Sequence, residues 1–209
     1  MLSAAQYYRS RVFPWMNDRL SADPELDRIR DEAVRAAAGQ VIEIGFGTGL
    51  NLPHYGGTVQ RVVGIEPNPG MVERAASRIA AAPFPVQILN CAAESLPLPE
   101  ASFDTAVSTL TLCSVMDPGR VLGELRRVLR DDGWLLLLEH GLADEAGVAR
   151  WQHRLDWPQG KLGCGCHLTR PVSRLLADNG FRFATVQQFF APKMPRTHGW
   201  VTVGAAIKA

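Results

Sequence analysis

The chain has 209 residues, 46% of them apolar, which is the length of one domain with material for a single sizeable core. Its 22 Lys and Arg stand against 21 Asp and Glu, so no net field exists to draw nucleic acid or an anionic membrane. No apolar run approaches the roughly 18 residues of a membrane helix, which excludes an integral span and leaves only peripheral membrane association open. The first residues lack the pattern of a secretory signal, so the expected location is the cytoplasm and the four cysteines are expected to be reduced thiols.

From Ser3 to Asp18, Tyr7, Tyr8, Val12, Trp15 and Met16 recur at mixed helical spacing. That predicts an aromatic-rich amphipathic helix, either a lid or a helix docked by its aromatics. Asp23 then reads as an N-cap and Pro24 as the first position of a helix with Leu26, Ile29, Ala33, Val34 and Ala37 on its apolar stripe, stopped by Gly39. Val41, Ile42 and Ile44 follow as a strand interrupted only by Glu43, and three glycines then alternate at Gly45, Gly47 and Gly49. Glycine is required where the backbone takes φ > 0 or approaches a ligand too closely for a Cβ, so this strand end reads as a cofactor cradle. A second β-branched run, Val62 to Ile65, ends in Glu66, roughly 20 residues beyond the first glycine, where a carboxylate can accept two ribose hydroxyls. Together they predict a nucleoside site. A dinucleotide fingerprint would need glycine where Leu50 stands, and Pro53 shortens any helix there, so a pyrophosphate is poorly served.

Asn68 and Pro69 are the start signals of the next helix, striped by Met71, Val72, Ala75, Ile79 and Ala80 and ended by Pro83. A strand at Val86 to Leu89, a proline-punctuated loop from Cys91 to Pro99, and a strand at Thr105 to Ser108 follow. Thr109 to Val115 then lies at a strand's carboxyl end, where ligands sit in open α/β sheets. A helix from Pro118 to Leu129 leads to the apolar strand Trp134 to Leu138, which closes in Glu139 and His140. From Ala146 the pattern turns Trp-rich and glycine-punctuated, before a helix at Arg170 to Asp178 and two strands near Phe181 to Gln187 and Gly199 to Ile207. Five strand–helix alternations and a closing hairpin predict a doubly wound, mostly parallel seven-stranded α/β sheet in one domain. Within it, residues 1–39 would be N-terminal helices or a lid, 40–140 the cofactor core, 141–180 a substrate-side insertion, and 181–209 the closing strands.

The E-x-G-x-G-x-G run with Glu66 resembles motif I and the ribose-binding acid of class I S-adenosylmethionine-dependent methyltransferases. The segments TLTLCSV at Thr109 to Val115, GELRRVLRDDGWLLLLEH at Gly123 to His140, and CHLTR at Cys166 to Arg170 resemble the thiol S-methyltransferase branch, also called methyltransferase-like protein 7. The resemblance implies S-adenosylmethionine as cofactor, held by Glu43, Gly45, Gly47, Thr48, Gly49, Asn51, Glu66, Pro67, Asn68, Met71, Ala93, Glu94, Thr109 and Leu110, and a small-molecule acceptor, most specifically an alkyl thiol. Ala92 stands where the family often has an aspartate for the adenine amino group, which leaves that contact to Glu94, backbone or water. Mammalian members carry an N-terminal hydrophobic anchor; here the aromatic helix takes that place in sequence.

Methyl transfer from a sulfonium is an in-line displacement, so the protein mainly positions a nucleophile, and a base is needed only if that nucleophile arrives protonated. His140, at a strand's carboxyl end, is the candidate base, against the alternative of a structural hydrogen bond; His153, His167 and Arg170 stand behind it. Cys164, Cys166 and His167 form C-x-C-H, but a structural zinc site closes with four ligands and Cys91 and Cys113 belong to other loops, so no metal is expected. N- or O-methylation of a lipid, quinone or natural product, a nicotinamide-dependent oxidoreductase, and a non-catalytic cofactor-binding subunit are the alternatives. Nothing in the sequence sets the oligomeric state.

Overall fold

A computed structural model of the chain describes residues 3–209. Its seven strands are β1 (Gly39–Ile44), β2 (Val59–Ile65), β3 (Val86–Leu89), β4 (Phe103–Thr109), β5 (Leu129–His140), β6 (Phe181–Phe190) and β7 (Trp200–Lys208). They form one sheet in the order β3-β2-β1-β4-β5-β7-β6, with β1 to β5 mutually parallel and β7 antiparallel to both β5 and β6. The chain winds outward in one direction through β2 and β3 and in the other through β4 and β5. The strand order therefore reverses between β1 and β4, and an open sheet binds ligands at the carboxyl ends beside such a reversal.

Side chains alternate across the sheet, and neighbouring residues feed separate cores. Val41 and Val62 pack with Leu26, Ile29 and Val34 of α3 (Pro24–Val34) and Ala75 of α4 (Pro69–Ala81). Ile42 and Val63 pack on the opposite face with Val121, Leu122, Leu125 and Val128 of α5 (Pro118–Val128) and Leu176 of α7 (Val172–Asp178). The caps anticipated from sequence are in place: the Asp23 side chain accepts from Glu25 and Leu26 N–H, and the Asn68 side chain accepts from Gly70 N–H. Each such cap contributes on the order of 1 kcal/mol.

Three expectations change. The N-terminal helix runs on to Ser21, as α1 (Ala4–Tyr7), a π-helical turn (Tyr8–Val12) and α2 (Phe13–Ser21). Pro14 explains the wide turn: it cannot donate to the Ser10 carbonyl and its ring crowds it, so the preceding turn loosens. The Ser10 carbonyl faces Gly70 instead, where a Cβ would come within 1.9 Å of it. Of its aromatics, Tyr7 and Trp15 do not dock the helix, being 56% and 53% exposed. The Trp-rich stretch, given no element from sequence, is the long helix α6 (Ala146–Leu162) despite Pro158, and a short α8 (Arg196–Gly199) precedes β7. Among the described residues, no helix is long and apolar enough to cross a membrane.

Candidate active site

At the carboxyl ends of β1, β2 and β4 lies a cavity of about 490 Å³, within the range of small-molecule and cofactor sites. Gly45, Gly47 and Gly49 all take positive φ, +60°, +59° and +78°. Only Gly47 has open space where a Cβ would stand, its nearest neighbour being the Gly45 carbonyl at 3.6 Å. A Cβ on Gly45 would instead collide with Thr111, and Gly49 packs on Leu52, Ala75 and Phe46. Gly49, expected among the cofactor residues, is absent from the cavity wall and shapes the loop behind it.

Glu66, 7% exposed, ties the loop to β2: its Oε2 accepts from Gly47 N–H at 2.8 Å and its Oε1 from Asn68 N–H at 2.8 Å. Each carboxylate oxygen has a second lone-pair direction, so the acid can hold the loop and still accept from a diol. Burial raises its pKa, and those two N–H bonds oppose the rise. Behind it, Glu43 is buried, with Oε1 accepting from Asn51 Nδ2 at 2.7 Å and Oε2 from the Tyr55 hydroxyl at 2.5 Å. Arg30 completes this network by donating to Asn51 Oδ1 at 3.0 Å. Burial pushes the Glu43 pKa up to about 7, against the pull of Tyr55, Asn51 and Arg30. A carboxylate poised between charge states beside the cavity suits a cationic ligand, which would favour its ionised form.

Thr48, Asn51, Pro67, Asn68, Met71, Ala93, Glu94, Thr109 and Leu110 also line the cavity. Several serve the protein first. Thr48 donates to Asp18 of α2 at 2.6 Å, and Glu94 Oε1 accepts from Met116 and Asp117 N–H at 2.9 and 3.3 Å. The adenine contact that Ala92 cannot make is left to the other carboxylate oxygen, Oε2, or to backbone. The sequence offered the N-terminal helix as a lid but did not name the residues that face the cavity: Phe13, Asn17 and Ser21 of α2 do, and Tyr8 ties the helix to the end of α6 through the Leu162 carbonyl at 2.7 Å. Helical spacing could place these residues on one face, but nothing local says which element that face covers.

The far wall is the turn after β4. Leu110 holds φ +52°, a left-handed conformation costly for leucine, which persists because neighbours over-determine it. Glu139, fully buried, accepts from Ser108 Oγ at 2.6 Å, from Thr111 N–H at 2.9 Å and from Leu112 N–H at 3.1 Å. Arg170 grips the same turn from outside, donating to the carbonyls of Leu112 and Val115. His167 is engaged elsewhere, with Nδ1 on Asp156 at 2.8 Å, and His153 is exposed on α6.

His140 is the point where the structure departs most from the reading of its neighbourhood. It does not line the cavity: Nε2 lies 3.2 Å from Cys166 Sγ, and Nδ1 is buried without a partner among the described residues. Successive residues of a strand point to opposite faces, so with Glu139 turned toward the β4 turn, His140 goes to the other side. Burial opposes its protonation, while the Cys166 contact and the Glu139 charge favour it and leave the pKa raised. Cys113 lies in its own loop after β4, as expected, but that loop meets the one carrying Cys166, and the Cys113 Sγ joins Cys166 and His140 in one cluster. Cys164 faces the cavity instead.

A family model described as a methyltransferase domain matches residues 42–137. A phosphatidylethanolamine N-methyltransferase from Cereibacter sphaeroides is 33% identical over 161 residues, covering 72% of this chain and 77% of that protein. A thiol S-methyltransferase from Rattus norvegicus is 35% identical over 172 residues, covering 80% of this chain and 68% of that one. Among solved structures, an S-adenosylmethionine-dependent methyltransferase from Thermotoga maritima, described as a possible histamine N-methyltransferase, superposes with a TM-score of 0.68 at 23% identity, covering 97% and 100% of the two chains, which speaks for the fold. With the open position at Gly47 and the Glu66 acceptor fitting a nucleoside, and with these relatives, the chain belongs to the S-adenosylmethionine-dependent methyltransferases.

Proposed function

We propose that this enzyme methylates the sulfur of a small, uncharged alkyl thiol in the cytoplasm. The observation that carries the reading is the similarity to a thiol S-methyltransferase over 80% of the chain. The shape of the cavity is in keeping with it. Beyond the cradle its wall carries Phe13, Val115 and Met116 beside the uncharged Asn17, Ser21 and Ser114, a surface that suits an apolar acceptor. The bound sulfonium supplies an activated methyl group, and the chain has three tasks: to hold the cofactor by Glu66 and the glycine loop, to seat the acceptor sulfur in line, and to exclude water. In this reading α2 is the roof that excludes water, held by Asp18 on Thr48 and Arg78.

A second reading, methylation of a lipid amine at a membrane surface, is favoured by the similarity to phosphatidylethanolamine N-methyltransferase. Release of S-adenosylhomocysteine from the isolated chain, measured across alkyl thiols, phosphatidylethanolamine dispersions, quinols, phenols and amines, separates the two. Alkyl thiols are expected to turn over fastest. Faster turnover of the lipid than of every thiol tried would reject the thiol reading and leave the methyltransferase assignment intact.

A further inference from the structure

We propose that Cys113, Cys166 and His140 form a site for a zinc-type divalent cation whose fourth coordination position is left to the acceptor thiol. The two sulfurs and a ring nitrogen all lie within 4.8 Å of one another. The His140 Nε2 to Cys166 Sγ separation, 3.2 Å, is near the about 3.5 Å edge of a tetrahedron built on Zn–S of about 2.3 Å and Zn–N of about 2.0 Å. Two soft thiolates with an imidazole are the donor set zinc takes. Two thiolates also cancel the charge of a dication, so the filled centre is neutral where an uncompensated charge would be costly to bury.

The ligands are also held in advance. Glu139 fixes the turn that carries Cys113 by accepting from Thr111 and Leu112 N–H, Arg170 clamps that turn from the other side, and Cys113 accepts the backbone N–H of His167 on its carbonyl at 2.8 Å, tying the two cysteine-bearing segments together.

Three protein ligands with an open fourth position are the arrangement of catalytic zinc, whereas structural sites close with four. The cluster adjoins the cofactor cavity without lining it. Cys113 Sγ contacts Ser114 Oγ at 3.3 Å and the Leu110 carbonyl at 3.4 Å, and both Ser114 and Leu110 line the cofactor cavity, as does Cys164. This role for the fourth position rests on the thiol reading above. A thiol entering the metal's coordination shell gives up its proton to solvent. Its sulfur then supplies the electron pair of the new carbon–sulfur bond, while the carbon–sulfonium bond breaks and its pair stays on the donor's sulfur. The product is a neutral thioether, a weaker ligand than the thiolate, and it leaves.

The test begins with reduced, metal-stripped protein titrated with cobalt as an optical probe and then with zinc as competitor. One cobalt per chain is expected, with thiolate-to-metal absorption that zinc abolishes and that a small alkyl thiol alters. Cys113→Ala, Cys166→Ala and His140→Ala should each weaken cobalt binding by more than the roughly 10- to 100-fold that loss of an outer-shell partner costs, while Cys91→Ser leaves it unchanged. Calorimetry with S-adenosylmethionine reports whether each variant is folded, and X-ray absorption at the zinc edge of the wild type reads the sulfur and nitrogen ligands without any variant. Absence of saturable cobalt binding, cobalt binding unmoved by all three variants, or equal thiol turnover by metal-free and zinc-loaded protein would overturn the proposal. A centre that binds cobalt and responds to thiol while no thiol is methylated leaves the site standing and removes the acceptor reading instead.

Discussion

The two walls of the cavity are built on opposite plans. The cradle at the ends of β1 and β2 is local: Gly45, Gly47 and Glu66 lie within one strand–loop–strand stretch, and Glu66 itself bonds the loop it faces. The wall at the ends of β4 and β5 is assembled from a distance, with Glu139 holding Thr111 and Leu112, Arg170 holding Leu112 and Val115, and Cys166 meeting Cys113 and His140. A local site is set by residue type and spacing. A long-range one depends on buried polar groups that lose much when any one member goes, because the others are left without partners.

That contrast predicts where substitutions hurt stability and where they hurt binding. The largest effect is expected at Glu139→Ala, which strands the Ser108 hydroxyl and two backbone N–H groups in the interior. Urea unfolding should show a loss of roughly 4 kcal/mol, several unmet donors at about 1 to 3 kcal/mol each with partial relief by water. A loss below about 1 kcal/mol would mean that the far wall is not organised by this carboxylate.

Glu43 should appear in the pH dependence. Its folded pKa of about 7 stands above the ordinary 4.5, so between those values the folded state keeps a proton that the unfolded chain has lost. Its contribution is thus full below about pH 4.5 and is lost as pH rises to about 7, a swing of roughly 3 kcal/mol against cofactor-free stability. Glu43→Gln, uncharged throughout, should flatten that slope in melting curves from acid to neutral pH. Parallel slopes for wild type and variant would show that Glu43 ionises normally.

In the cradle, binding should suffer more than folding. Gly47→Val forces a β-branched residue to φ +59° and fills the one open Cβ position of the loop, so S-adenosylmethionine affinity should fall by about 100-fold or more in calorimetry. Glu66→Ala removes charge-assisted bonds worth roughly 1.5 to 3 kcal/mol, one to two decades of affinity. Unchanged affinity in both would mean the cradle lies elsewhere. The smallest effect belongs outside both walls: Trp15→Ser, at a position 53% exposed, should change stability by no more than about 0.5 kcal/mol. A larger loss, measured by the same unfolding curves, would mean that this ring is covered in solution.

The cradle was readable in the chain because its signals act over short range. Left-handed glycines, an acid closing the next strand, and the Asn68–Pro69 helix start are consequences of local backbone geometry. The doubly wound sheet followed for the same reason, since strand and helix periods recur in order and alternate residues such as Val41 and Ile42 divide between two cores. Tertiary structure alone decided which residues close the site. Phe13 and Asn17 become a roof only once α2 lies over the loop, and α6 holds its helix through Pro158. His140 is a strand end in the sequence, and only the packing of β4 against β5 turns it away from the cavity and onto two cysteines, 27 and 26 residues away in the chain. Spacing encodes what the backbone does within a few residues; the meeting of Cys113, His140 and Cys166 is fixed by burial, which no local pattern records.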